Sequence, residues 1–556
     1  MGGLNTALNI GVHALDAVQG AIDATSNNIA NVNTPGYTEE VAQLSGSSLS
    51  RSGNDISGGG VTLDGIRSVQ DQLLNLQIQQ QTSSQSSTNT ESASLQQIQT
   101  YFTTTGTDIA SALTGFSSSL AALSASPAST ATQQSVLSSG QNLAQAFNTT
   151  ESGLASAQSA ANGLVTTSIA QINTLTNQIA KLNGQIEQLT SSGQNANAAE
   201  DQLSVSVQQL AGLTGISVTH SRAGDMITTG NGTPLVMGNQ SFTLQTTTGA
   251  DGSKKVLDSN GSDITSSIQG GQLGGALQVR DQVIPGMLSQ LNSLASQFAS
   301  SFNAAQTQGL DSNGNQGQDF FTMPADPNAS ASGIVVSISN PALLAINSVG
   351  TSNSNVASLS SVLTQALQST SSSTAGTPSS PLTGGSLLTA GAVTSIVDGS
   401  TGLTFSFTAG ASSTIANLQT AIASAVTAGT PSSGTRLSFN AAGHAIISTT
   451  AAGDTLQVST NDAALGQFNS TAGQTPAQAY ASLVFDVGSA ASTAGTQSKA
   501  IGTTLLQLTD QKSSESGVNI DDETANLIRF QTAYQAAARI VNTIQQLSTV
   551  TMNMVS

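Results

Sequence analysis

Three histidines, at positions 13, 220 and 444, are the only side chains in this chain whose ordinary pKa lies near neutrality. Acid–base or metal chemistry would need a partner within reach of one of them. None lies near another in sequence, and there is no His-Glu-x-x-His pair, no aspartate-rich calcium loop and no cysteine. His13 falls in a helical pattern, His220 alternates with Ile216 and Val218 as on a strand, and His444 falls in an expected hairpin turn. Serine is abundant, yet no Gly-x-Ser-x-Gly context presents one as a nucleophile. "GGQLGGAL" at 270–277 has close glycines but neither the Gly-x-Gly-x-x-Gly order nor a lysine for phosphate, and reads as a turn. No catalytic, cofactor-binding or metal-binding residue is assigned, and the chain is not expected to be an enzyme.

The residues that do stand out are amides. "SNNIANVNTPGYTEE" at 26–40 carries Asn27, Asn28, Asn31 and Asn33 ahead of Thr34-Pro35-Gly36-Tyr37. Asparagine is a weak helix former because its amide competes for nearby backbone groups. Asn27 and Asn31 lie one helical turn apart and share a face. One reading is a solvated, fraying helix end. The other is that these amides, which both donate and accept, meet the same segment in neighbouring copies.

Patterned helices must position them. Leu8, Leu15, Ile22 and Ile29 are spaced by seven, with Leu4 and Val18 on flanking rows, so 4–29 reads as an amphipathic helix stopped by Asn33-Thr34-Pro35-Gly36. At the other end Leu527, Phe530, Tyr534, Ala537, Val541, Ile544 and Leu547 form a second stripe, with Asn519 as N-cap and Asp521, Asp522 and Glu523 in the first turn. The two ends are expected to pair as a coiled coil. Between them, 163–190 and 281–306 carry clear heptads, Pro285 standing near the start of the second. Weaker helical patterns cover 66–102, 106–124 and 130–160. Period two replaces period 3.6 in 216–268, where Ile216-Val218, Phe242-Leu244 and "KKVLDSNGSDI" read as strands and hairpins. In 400–460, Leu403, Phe405 and Phe407 alternate ahead of a helix, a hairpin and a strand, a small β–α–β–β module. The Ser/Thr/Gly/Pro-rich stretch 368–386 reads as its linker.

Composition narrows the class. Only 8% of the 556 residues are charged and 3% aromatic, with a net charge of −18 from 30 acids and 12 scattered bases. No basic patch exists to displace phosphate counterions, so nucleic acid is not an expected partner. No apolar run approaches the ~20 residues of a membrane span. The N-terminal stretch lacks the basic leader and apolar block of a cleaved secretory signal, although the composition suits an extracellular protein. The fold class expected is mainly α with β-rich insertions: elongated and multi-domain, with paired terminal helices, a long helical bundle domain and an outer β-containing domain.

The two terminal segments, "SNNIANVNTPGYTEE" and "SGVNIDDETANLIRFQTAYQAAARIVNTIQQLSTV" (516–550), together resemble the paired signatures of the bacterial flagellar axial proteins, the family of rod, hook and hook-associated proteins. Residues 270–321, 133–154 and 172–186 resemble the helical region of its first hook–filament junction members. The resemblance covers roughly 1–340 and 480–556, while 386–460 resembles the insertion modules of flagellins. Around 195–210 an Arg-Asp pair usual in the family is replaced by "EDQLSVSVQQL".

The resemblance implies a structural protein, a ring of copies between hook and filament. It implies hook protein and hook-associated protein 3 as neighbours, and an export chaperone at the C-terminal helix. It also implies passage through the flagellar type III channel to an extracellular position. The organisation expected is an axial helix and turn at 1–45, a junction core at 46–330, an inserted outer domain at 331–490 containing the module 386–460, a return segment at 491–519 and a second axial helix at 520–556. Assembly is expected to rest on Leu8, Leu15, Ile22, Asn27, Asn28, Ile29, Asn31, Asn33, Pro35, Gly36 and Tyr37 at one end. At the other it rests on Leu527, Phe530, Tyr534, Val541, Ile544 and Leu547. Within the family, hook or rod protein is the alternative; outside it, a secreted Ser/Thr/Gly-rich adhesin.

Overall fold

Residues 2–31 form one helix, α1 (Gly2–Asn31), which stops where the sequence stacks Asn33, Thr34, Pro35 and Gly36. The computed structural model describes every residue except 1, 47–49, 53–54, 58–59, 105, 222–223, 250–251, 349–350, 352, 366–369, 374–381, 384, 399–403, 428–434, 440–444, 449–455, 461–464, 466–467, 472–473 and 556. After α1 come β1 (Glu40–Gly46), β2 (Ser50–Ser52), β3 (Asp55–Ser57) and β4 (Val61–Ser68). Then follow α2 (Gln72–Phe102), α3 (Ile109–Ala125), α4 (Thr130–Ser191) and α5 (Asn197–Leu213). A run of short strands comes next: β5 (Ile216–Thr219), β6 (Met226–Thr229), β7 (Pro234–Met237), β8 (Gln240–Ser241), β9 (Gln245–Thr248) and β10 (Lys254–Leu257). Helix returns with α6 (Gly271–Gln278), a π-helical turn at Val279–Val283 and α7 (Ile284–Gln308). β11 (Phe321–Thr322), α8 (Ser330–Gly333), β12 (Val335–Val336) and α9 (Asn355–Ser361) lead into β13 (Thr370–Ser373), β14 (Val393–Asp398), β15 (Thr404–Thr408) and α10 (Ile415–Thr427). β16 (Arg436–Phe439), β17 (Ala445–Ser448), β18 (Leu456–Thr460) and β19 (Phe468–Thr471) complete that region. Two long helices, α11 (Pro476–Ser516) and α12 (Ile520–Val555), close the chain. It is mainly α with small β insertions.

The chain divides into two units. The first comprises 1–90, 162–276 and 495–556; the second comprises 91–161 and 277–494. In the first unit α1 packs along α12 and against β1 and β4, which pair antiparallel with a bulge between Gln43 and Leu44. β5 to β8 form an antiparallel sheet in sequence order, and β9 pairs with β10. In the second unit the scarce aromatics gather: Phe116, Phe298, Phe302, Phe320 and Phe321 are all fully buried. Their ring centroids lie as close as 4.7 Å, between Phe320 and Phe321. Such offset and edge-on rings add to what their buried area contributes.

A construction device recurs in both units. A buried or half-buried amide on a helix receives one backbone N–H and donates to one backbone carbonyl of a passing non-helical segment, as a neighbouring strand would. Asn173 does so with both groups of Leu244, at 2.8 Å each. Asn292 donates to Asn328 and accepts from Ala331. Asn303 donates to Phe321 and accepts from Phe320 and Phe321. Gln306 spans Leu343 and Ala345. A chain with few charges thereby satisfies buried backbone without sheet partners.

Four expectations are corrected. Phe242–Leu244 is not a strand, because Asn173 takes both backbone groups of Leu244 and Phe242 donates to Leu235. "GGQLGGAL" is a turn only at Gly270 and Gly271, whose φ angles are +72° and +63°; helix α6 begins at once. A Cβ at Gly275 would lie 2.4 Å from the Ser87 carbonyl oxygen, so the later glycines serve close helix packing. The separate patterns at 130–160 and 163–190 are one helix of 62 residues. The module at 400–460 is larger than β–α–β–β. It uses sheets β16-β17-β13-β19 and β15-β14-β18 over α10, and draws β13 from within the expected linker. His444, Leu403 and most of 368–386 lie outside the described residues.

Candidate assembly site

The turn after α1 is held by a single buried amide. Asn28 is 0% exposed; its Nδ2 donates to the Glu40 carbonyl, and its Oδ1 accepts from the Glu40 N–H and from the Tyr37 hydroxyl, all at 2.9 Å. Residue 40 is thus paired to the helix as to a strand, and the loop 29–39 is closed. Within it Thr34 N–H donates to Asn31 and Tyr37 N–H to Thr34. Gly36 has φ +83°, and a Cβ there would meet Val205 at 2.3 Å, so the position requires glycine on two counts.

Asn27 and Asn31 do share a face, and their amides meet: Asn31 Nδ2 donates to Asn27 Oδ1 at 2.9 Å, while Asn27 Nδ2 donates to Glu40 Oε2 at 2.9 Å. Asn27, Asn33, Pro35 and Gly36 are exposed. Sequence reasoning missed α5 as the other wall. Asn197 donates to Glu40 Oε1, and Asp201 accepts from Thr38 N–H at 3.0 Å, Thr38 Oγ1 at 2.6 Å and Gln70 at 3.1 Å. The signal was an asparagine and an aspartate one turn apart, on a different face of α5 from the apolar Leu203, Val207 and Leu210. Burial raises the Asp201 pKa, opposed by the Thr38 hydrogen bonds. Burial, then Glu40, raises the Tyr37 pKa and keeps the phenol a neutral donor.

The terminal helices meet along small residues as well as large ones. Leu8, Leu15, Ile22 and Ile29 are half-buried, while Ala17, Ala21 and Ala24 are buried. A Cβ on Gly11 would lie 2.6 Å from Val541, so the absent side chain sets the closeness of α1 and α12. Leu527, Phe530, Val541 and Ile544 are half-buried, and the Arg529 guanidinium lies 5.3 Å from the Phe530 ring centre. Tyr534 is about one third exposed and Leu547 about half. With Ile528 (61% exposed), Ile540 (56%) and Val550 (55%) they leave α12 with apolar surface that its own chain does not cover.

Elsewhere in this unit His220 Nδ1 lies 2.6 Å from Asp225 Oδ1, at a cavity of about 330 Å³ also lined by Glu187, Glu200 and Ser204. His13 is exposed on α1. Among the described residues no three His, Asp or Glu side chains are grouped to hold a metal ion, and no helix is long and apolar enough to cross a membrane.

Comparison with known proteins matches three stretches to family models. Residues 95–321 match the flagellar hook-associated protein FlgK helical domain, 8–38 the flagella basal body rod protein, and 511–554 the flagellar basal body rod FlgEFG protein C-terminal region. Flagellar hook-associated protein 1 of Escherichia coli strain K12 is 27% identical over 569 residues, covering 97% of this chain and 98% of that protein. The protein of the same description from Bacillus subtilis strain 168 is 28% identical over 409 residues, 65% of this chain and 80% of the relative. The flagellar hook junction protein FlgK from Burkholderia pseudomallei shares the fold at a TM-score of 0.53 and 18% identity, covering 79% of this chain and 99% of the other. With the helical domain matched between two terminal axial segments, the chain is similar along nearly its whole length to flagellar hook-associated protein 1.

Proposed function

We propose that this chain is a structural subunit of the bacterial flagellum, assembled as a ring of copies that joins hook to filament. The observation that carries the reading is the near full-length similarity to flagellar hook-associated protein 1. The geometry supports it: α12 keeps one face on α1 and leaves Ile528, Ile540, Leu547 and Val550 for another surface. Each is about half exposed, so covering the four against a neighbouring copy contributes roughly 4 kcal/mol per subunit. The turn at Asn33-Thr34-Pro35-Gly36 is also exposed, in the same unit. Hook protein borders the ring on one side and hook-associated protein 3 on the other. The C-terminal helix is the grip for an export chaperone before the chain passes to its extracellular position. The module within 386–460 is an outward addition and not part of the joint.

A strain deleted for the gene tests this. It builds hooks of normal length, carries no filaments and sheds unattached filament protein into the medium. Absence of hooks would favour a hook or rod role, and normal filaments with lost surface attachment would favour an adhesin.

A further inference from the structure

One aromatic ring in this chain stands in water. Phe485 on α11 is 72% exposed, whereas every other phenylalanine whose side chain is described is buried or half-buried. Its helix is fixed from the opposite face: Tyr480, Leu483 and Val487 are buried, and the Tyr480 hydroxyl donates to the Phe102 carbonyl at 2.6 Å. The residues one turn to either side of Phe485 are Ala481, Ser482, Gly488 and Ser489, all small, so the ring projects as a single knob. Asp486 beside it is exposed. In the first unit, α4 and α5 bound an open groove of about 600 Å³, lined chiefly by Thr167, Ala170, Thr174, Leu175, Gly212 and Leu213. Thr167 and Thr174 turn their hydroxyls back to the Gly163 and Ala170 carbonyls, at 3.0 and 2.9 Å, which leaves methyl groups for an apolar guest. Lys181 continues the same stripe, seven residues beyond Thr174, and is exposed. Helical side chains lean toward the N-terminus, which carries its ammonium toward the groove. Among the described residues neither Lys181 nor Asp486 is in an ion pair.

We propose that Phe485 of one copy seats in the α4–α5 groove of a second copy of this chain, with Asp486 set against that copy's Lys181. The inference rests on the ring of copies proposed above and adds where one copy grips the next. Knob and groove are different patches, so the contact is heterologous, the kind that runs head to tail and can close a ring. An aromatic side chain buries about 150–250 Å² when covered, and Phe485 leaves most of its surface in water. The charges select the guest. In a chain of net charge −18 with 12 bases, an unpaired lysine beside an apolar groove favours an acidic partner, and the knob brings its own aspartate.

The chain has no cysteine, so introduced thiols report on single positions. Gln178→Cys and Ser489→Cys, both at exposed positions near groove and knob, are combined in the full-length protein and expressed in the deletion strain. Isolated flagella are treated with a short bismaleimide and run on a denaturing gel. The expected result is a ladder of dimers and higher multiples of this chain, absent from either single-cysteine variant. Phe485→Ser in the double-cysteine chain removes the ladder. Lys181→Glu or Asp486→Lys alone weakens it by up to about fivefold, and the two together restore it. A chain that is present in flagella yet stays monomeric after treatment overturns the docking and leaves the ring standing. So does a ladder that Phe485→Ser leaves unchanged, a link formed within one chain, or a product joining this chain to a different flagellar protein. Absence of the chain from flagella would overturn the ring, and the docking with it.

Discussion

Asn28 shows what one amide can do when it faces inward. It satisfies both backbone groups of Glu40 and the Tyr37 hydroxyl. Asn28→Ala should therefore cost about 2–4 kcal/mol in urea unfolding of the free subunit, because it removes three hydrogen bonds and leaves buried backbone unpaired. Asn27→Ala with Asn31→Ala should cost at most about 1 kcal/mol, since those groups reach solvent and alanine is the better helix former. Filament attachment in that double variant should still be impaired if the exposed amides meet neighbouring copies. Normal swimming would leave them as a solvated helix end. The sequence singled out the amide run, and its spacing correctly joined Asn27 to Asn31. It did not single out Asn28, because Asn27, Asn28 and Asn31 are alike in type and only the path of the chain after Gly36 decides which one turns inward.

Among the elements, large apolar residues at helical spacing were legible and glycine contacts were not. The pairing of α1 with α12 followed from two complementary stripes. Its closest approach rests on Gly11 opposite Val541, which no hydrophobic pattern marks. Gly11→Ala should prise the helices apart and lower the melting temperature of the full-length protein, while Val541→Ala in the same chain should recover most of the loss. Failure of the second change to compensate would place the cost in α1 alone. The continuity of α4 escaped for a related reason. Its middle, around Gly153 and Gly163, has few large side chains, and Gly153 instead receives the Tyr101 ring, where a Cβ would lie 2.6 Å away.

The whole chain divides inside helices, at 90–91, 161–162, 276–277 and 494–495, so no loop composition announces the two units. The inserted module is the exception, since its strands and turns stand out from the helical periods. Its described extent runs from β13 to β19, which pair directly, Thr370 opposite Thr471. Replacing 370–471 by a short glycine–serine bridge should leave the Phe116–Phe302 core and motility intact, and loss of filaments would show that the module is part of the joint. The most direct test of the junction role is position. Gold-labelled antibody against this chain, imaged by electron microscopy on isolated flagella, should mark one narrow band where hook meets filament, and the hook tip in cells that lack filament protein. Label spread along the hook, confined to the rod or scattered over the cell surface would contradict it.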